Sequence, residues 1–180
     1  MKIHSGQWRG RIIAQPKTRT VRPLSEKARA AIFDVIGPVS GLAVLDAYAG
    51  SGAAGLEALS RGALLAEAIE ANRTVARTIQ ANVETLGAEW GYLLHMMTVE
   101  TWLASPRQQL VNGRYDAIIA DPPYHQLDAD VLGRLMLFLL PEGRLVVSHS
   151  SKRHAPMIES GELIQTKRYG DSSLSFYKKI

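Results

Sequence analysis

The chain contains no cysteine. That absence excludes a disulfide framework and any thiolate-held metal centre. Its five histidines fall at no paired ligand spacing, so no metal site is expected. No apolar run is long enough to span a bilayer, and the amino terminus lacks a signal-peptide pattern. A cytoplasmic protein with no membrane partner is therefore expected. Internal repeats and low-complexity tracts are missing as well. Acidic residues are scarce where the basic ones gather. Residues 1–30 hold Lys2, Arg9, Arg11, Lys17, Arg19, Arg22, Lys27 and Arg29 against Glu26 alone, a balance of +7 in a chain of net +4, which leaves −3 on the other 150 residues. A basic segment on a mildly acidic body is the footprint expected for a polyanion, because neutralising phosphates releases condensed counterions. A solvated charged face is the alternative.

With 180 residues, 46% of them hydrophobic, the chain fits one domain with a proper core, comprising a basic extension over 1–23 and a core over 24–180. From Val44 onward apolar runs alternate with helical patterns, the signature of a doubly wound, mostly parallel α/β sheet of seven strands with helices on both faces. The strands are expected at 42–47, 64–70, 92–97, 115–120, 144–149, 162–167 and 173–178. Helices are expected at 53–61, 72–86, 99–105, 128–140 and 154–160, with Asn72 capping the second and Gly87 stopping it. Before the sheet, SEKARAAIFDVIG reads as a helix capped by Ser25, burying Ala28, Ala31, Ile32, Val35 and Ile36 and ended by Gly37-Pro38. This places the basic arm outside the doubly wound core, where KIHSGQWRGRIIAQP suits a β-hairpin.

Three stretches carry chemistry. LDAYAGSGAAG, residues 45–55, sets Gly50, Gly52 and Gly55 at dinucleotide-turn spacing after the first strand, a weak signal alone because any α/β nucleotide site needs such a turn. Asp46 ends that strand, and a carboxylate beside the turn would repel a pyrophosphate. It suits instead the ammonium and sulfonium of S-adenosylmethionine; a plain turn or cap role is the alternative. Glu70 ends the second strand, where an acid can accept from both ribose hydroxyls of either cofactor. ADPPYHQ, residues 120–126, leaves the fourth strand at the sheet's carboxyl edge. Its paired prolines give a stiff loop, in which Asp121 and the Pro122 carbonyl can accept from an exocyclic NH₂ while Tyr124 stacks on the base.

These residues, with the RGRIIAQP, RPLSEKARAAIFDVIG and RYGDSSLSFYKK segments, resemble class I S-adenosylmethionine-dependent methyltransferases of exocyclic amino groups. More narrowly, they resemble the RsmD-type bacterial 16S ribosomal RNA guanine-N(2)-methyltransferases along almost the whole chain. The resemblance implies S-adenosylmethionine as cofactor, held by Asp46, Ala47, Gly50, Ser51, Gly52, Glu70, Ala71, Thr98, Val99 and Asp121. It further implies a target base held by Asp121, Pro122, Pro123 and Tyr124, and RNA contacts from Arg9, Arg11, Lys17, Arg19 and Arg22. The partner implied is 16S rRNA within a small ribosomal subunit or an assembly intermediate, and a monomer is expected. One departure stands out: many relatives place Asp or Asn after the third strand to contact adenine, where this chain has Thr98-Val99.

The rival readings are an adenine-N(6) methyltransferase acting on DNA or RNA, a methyltransferase of glutamine amides, a nicotinamide oxidoreductase, and a non-catalytic RNA-binding module. The basic arm opposes the amide, Asp46 and the D-P-P-Y loop oppose the oxidoreductase, and a bare RNA-binding module leaves the crevice unexplained. His95, His149, Trp90 and Trp102 read as packing residues. Trp8 fits either base stacking or anchoring of the hairpin.

Overall fold

The computed structural model describes residues 1–16, 24–105 and 114–180. Among these, β1 (Ala43–Asp46), β2 (Leu65–Ile69), β3 (Tyr92–His95), β4 (Tyr115–Ala120), β5 (Leu139–Ser150), β6 (Gly161–Tyr169) and β7 (Ser172–Lys179) form one sheet. Their order is β3-β2-β1-β4-β5-β7-β6. The first five in that order pair in parallel, and β7 runs antiparallel to both β5 and β6. The described helices are α1 (Glu26–Ile36), α2 (Ala53–Ser60), α3 (Arg73–Leu86), α4 (Val99–Ala104) and α5 (Ala129–Met136). Strand order reverses between β1 and β4, so the connections leave in opposite directions and open a crevice at the strands' carboxyl ends.

Both faces of the sheet are buried, as its near-continuous apolar strands require. Val44 and Ile119 pack with α1, α2 and α3, whereas Leu45 and Ile118, one residue along, pack with α4 and α5. The caps fall as their side chains dictate. Ser25 accepts from Ala28 N at 3.1 Å, Asn72 from Thr74 N and Val75 N at 2.9 and 3.2 Å, and Gly87 takes the left-handed conformation that ends α3.

Three expectations need correction. No helix forms over 154–160: Pro156 has no N–H to donate, and its carbonyl accepts instead from the Tyr177 hydroxyl at 2.7 Å. The helix expected over 128–140 stops at Met136, and Leu139-Leu140 already belong to β5, which thus begins earlier than 144. Leu135, Met136 and Leu139 are all buried among the same residues, so apolar pattern alone does not mark that turn. Finally, the amino-terminal arm is not outside the core. It closes as a hairpin through Ile3 N to Arg11 O and Ile13 N to Met1 O, at 3.0 and 2.8 Å, and buries Ile3, Trp8 and Ile13 among residues of α1, α2 and α3. Gly6 makes the seat possible, for a Cβ there would fall 1.6 Å from the Ser60 carbonyl oxygen. Trp8 is an anchor, buried with its backbone N–H bonded to Ser60 Oγ at 3.0 Å.

Candidate active site

A cavity of about 450 Å³ opens at the carboxyl ends of β1, β2 and β4, within the size range of small-ligand sites. The turn after β1 forms its floor. Asp46 is 2% exposed, and among the described residues its Oδ2 accepts only a long bond, 3.3 Å, from Gly55 N in α2. Burial pushes its pKa up to about 7; the Gly55 N–H opposes the rise, and the nearby Asp121 and Glu70 carboxylates add to it. Glu70 accepts from Gly50 N at 3.0 Å and Asn72 N at 2.8 Å. It thereby ties the glycine turn to the start of α3, and burial raises its pKa against the pull of those N–H groups.

Ala47, Gly50, Ser51, Glu70, Ala71, Thr98, Val99 and Asp121 line this cavity together with Asp46. Gly52 does not share the wall. It is left-handed (φ 76°), and a Cβ on it would meet the Tyr92 hydroxyl at 2.8 Å, so its glycine serves the turn and close packing against β3. Thr98 caps α4, its Oγ1 accepting from Thr101 N at 3.2 Å and lying 3.1 Å from Thr101 Oγ1.

The loop after β4 forms the opposite wall, through Asp121, Pro122, Pro123 and Tyr124, with His125 and Gln126 beyond. Burial pushes the Asp121 carboxyl up to about 6. The Ser148 hydroxyl lies near enough to offset part of the rise, though outside regular hydrogen-bond geometry. The Pro123 carbonyl accepts from Gln126 N at 2.7 Å, closing a turn. The half-buried Tyr124 donates its hydroxyl to Ser172 Oγ at 2.6 Å, which fixes the ring against the start of β7. Arg9 and Arg11 are exposed on the hairpin, Arg11 donating to Thr85 O at 3.1 Å. Lys17, Arg19 and Arg22 lie outside the described residues.

Two residues on the helix faces escaped sequence reasoning. Asn82 of α3, 2% exposed, bonds both backbone groups of Ala14 at 2.7 and 3.0 Å and the Ser51 carbonyl at 3.1 Å. It joins the hairpin to the cofactor turn. Arg29 of α1 is 1% exposed and reaches the cavity wall. Both were detectable, because each interrupts the apolar stripe of its helix at i, i+3, i+4 spacing: Asn82 beside Ile79 and Leu86, Arg29 beside Ile32 and Phe33.

An acid-lined crevice at the switch point of this sheet, with a glycine turn on one wall and D-P-P-Y on the other, defines a class I methyltransferase whose cofactor is S-adenosylmethionine. The residues fit that group: the cofactor's cationic end can meet the under-bonded Asp46, and Glu70 stands where a ribose can be held. The family described as Conserved hypothetical protein 95 matches residues 1–178, and the chain belongs to it, among the RsmD-type methyltransferases. It is 28% identical to ribosomal RNA small subunit methyltransferase D of Haemophilus influenzae, over 99% of this chain and 93% of that one. The solved Escherichia coli protein yhhF superposes with a TM-score of 0.86 at 28% identity, covering 99% of this chain and 97% of the other. The magnesium protoporphyrin IX methyltransferase of Synechocystis, solved with bound S-adenosylmethionine, shares the fold at 16% identity. Its TM-score is 0.64, over 86% of this chain and 79% of that chain.

Proposed function

We propose that the protein transfers a methyl group to the exocyclic N2 amino group of a guanine in 16S ribosomal RNA, presented by a small ribosomal subunit or its assembly intermediate. The observation that carries this reading is that Asp121, Pro122 and Tyr124 wall the same cavity as Asp46 and Glu70, so target and cofactor meet across one space. Kinship with the Haemophilus influenzae enzyme supports ribosomal RNA as the substrate class. The exposed Arg9 and Arg11 add a basic surface beside α3, suited to phosphates.

When bound, the cofactor supplies a methyl group already activated on sulfur, so the protein's part is placement. In this reading Asp46 holds the cofactor's ammonium, Glu70 its ribose, and Ala71, Thr98 and Val99 its adenine. Tyr124 stacks on the flipped base, and Asp121 and the Pro122 carbonyl accept from its NH₂. Accepting both N–H bonds favours a pyramidal nitrogen and frees the lone pair otherwise delocalised into the ring. The N–C bond then forms as the S–C bond breaks, with S-adenosylhomocysteine leaving. Asp121, ionised at neutral pH with a pKa of about 6, can take the released proton and pass it to solvent. Such in-line positioning of two reactants supplies roughly 7–11 kcal/mol in favourable cases.

The test is transfer of radiolabelled methyl to small subunits from cells lacking the endogenous activity, followed by nucleoside analysis. N(2)-methylguanosine is the expected product. Methylated adenine, or no label despite cofactor binding, overturns the guanine assignment.

A further inference from the structure

Arg29 has no assigned role, yet it is the least ordinary charged group in the molecule. It sits on α1 at 1% exposure, and its Nη2 donates to the Lys2 carbonyl. Its Nε and Nη1 have no hydrogen-bond partner among the described residues. Burial lowers its pKa, and the Coulombic pull of Glu57 and Glu26 opposes this. Both acids are otherwise engaged: Glu57 with Arg61 Nε at 2.9 Å and His4 N at 2.8 Å, Glu26 with Lys2 N at 3.1 Å. A buried guanidinium with idle donors is costly unless an anion completes it.

The cavity supplies the place for that anion. Arg29 lines it beside Met1, Leu24 and Ser51, whereas Ala71, Thr98 and Val99 lie at the ends of β2 and β3 and the D-P-P-Y loop beyond β4. Asp46, Glu70 and Asp121 are its buried carboxylates, and Arg29 is the only Lys or Arg on the described wall. A ligand satisfying both must carry cationic and anionic groups a few atoms apart. The methionine moiety of the cofactor does so, with its α-ammonium and α-carboxylate on one carbon.

We propose that Arg29 binds the α-carboxylate of S-adenosylmethionine and sets the protein's selectivity for the intact amino-acid end of the cofactor. The role rests on the cofactor and not on guanine as the target. The bond from the same guanidinium to Lys2 O makes the seated hairpin part of this site, and Asn82 reinforces the join by holding Ala14 and Ser51 together.

Calorimetric titration of the full chain with S-adenosylmethionine and with its decarboxylated analogue tests this without any RNA. The parent should bind the intact cofactor about ten- to a hundredfold more tightly, the range of hydrogen bonds to charged groups. Arg29→Met should lose that factor for S-adenosylmethionine while leaving the analogue's affinity nearly unchanged, and Arg29→Lys should keep part of it. Equal parental affinity for the two ligands overturns the proposal. So does a parallel loss of both in Arg29→Met, the mark of a merely structural arginine. Should Arg29→Met fail to fold, the parental ratio and Arg29→Lys still decide. Measurable cofactor binding with no guanine methylation would count against the target assignment and leave Arg29 untouched.

Discussion

Asp46 and Glu67 stand on adjacent strands, both nearly inaccessible at 2% and 1% exposure, and their surroundings treat them in opposite ways. Glu67, on the middle of β2, is met by His95 Nε2 at 2.7 Å, Trp102 Nε1 at 3.4 Å, Arg114 Nη2 at 3.3 Å and the Tyr115 hydroxyl at 2.5 Å. Burial alone would raise its pKa, but the bonds from His95 and Tyr115 and the Arg114 charge more than offset it, and the net shift is downward. Asp46, at the end of β1, has one long bond and a raised pKa. A buried acid fully bonded by the protein secures the fold; one left under-bonded on a cavity wall is set for a ligand.

The largest expected effect breaks the satisfied side. Glu67→Ala removes the shared acceptor of four donors and should cost about 3–5 kcal/mol of stability, as for other buried charge networks that lose one partner. Denaturant titration checks it, and a loss under about 1 kcal/mol would show the network to be incidental. Asp46→Asn should instead leave the fold intact while weakening cofactor binding, by about ten- to a hundredfold if one charge-assisted contact is lost. Normal binding by the Asp46→Asn variant would return Asp46 to a turn residue.

pH sharpens the contrast, because the two shifts have opposite signs. Glu67, with its pKa lowered, contributes stability that is present above the ordinary glutamate value and lost as pH falls through its folded pKa. Asp46, raised from 3.8 to about 7, holds more protons folded than unfolded between those values, so it costs stability increasingly as pH rises through that window. Relative to the parent, Asp46→Asn should therefore gain stability from about pH 4 to about pH 8. Cofactor affinity of the parent should fall as pH drops below about 7, and the asparagine substitution should flatten that profile. An unchanged slope would mean another group titrates.

The smallest effect concerns Tyr124, whose ring faces the cavity while its hydroxyl is satisfied by Ser172. Tyr124→Phe forfeits one neutral hydrogen bond, about 0.5–1.5 kcal/mol, and should slow methyl transfer several-fold with cofactor affinity unchanged. Ser172→Ala should match it, and the double variant should be no worse than either. Additive losses would show that the hydroxyl acts on substrate directly.

The parts of the site legible in the sequence are those written in local chain chemistry. The glycine turn, Asp46 and Glu70 at strand ends, and the D-P-P-Y loop are each set by neighbours in sequence, and they converge because parallel strands all deliver their carboxyl ends to one edge. The 154–160 segment failed for want of weight on Pro156, and the overlong helix at 128–140 because its apolar pattern runs unbroken into β5. Glu67 drew no notice, since a lone acid in an apolar run shows nothing of four donors brought from β3, α4 and β4.

By itself the sequence determined the alternation of strands and helices, the caps, the order of the motifs and the basic character of the amino terminus, all consequences of backbone preference and side-chain periodicity acting over a few residues. Only the tertiary structure decided which buried polar groups are satisfied and which are left open, that the hairpin joins the core, and that Arg29 faces the cofactor cavity from a helix well ahead of the glycine turn. Those outcomes depend on groups far apart in the chain competing for the same hydrogen bonds, and burial settles that competition only once the sheet and its helices have closed around them.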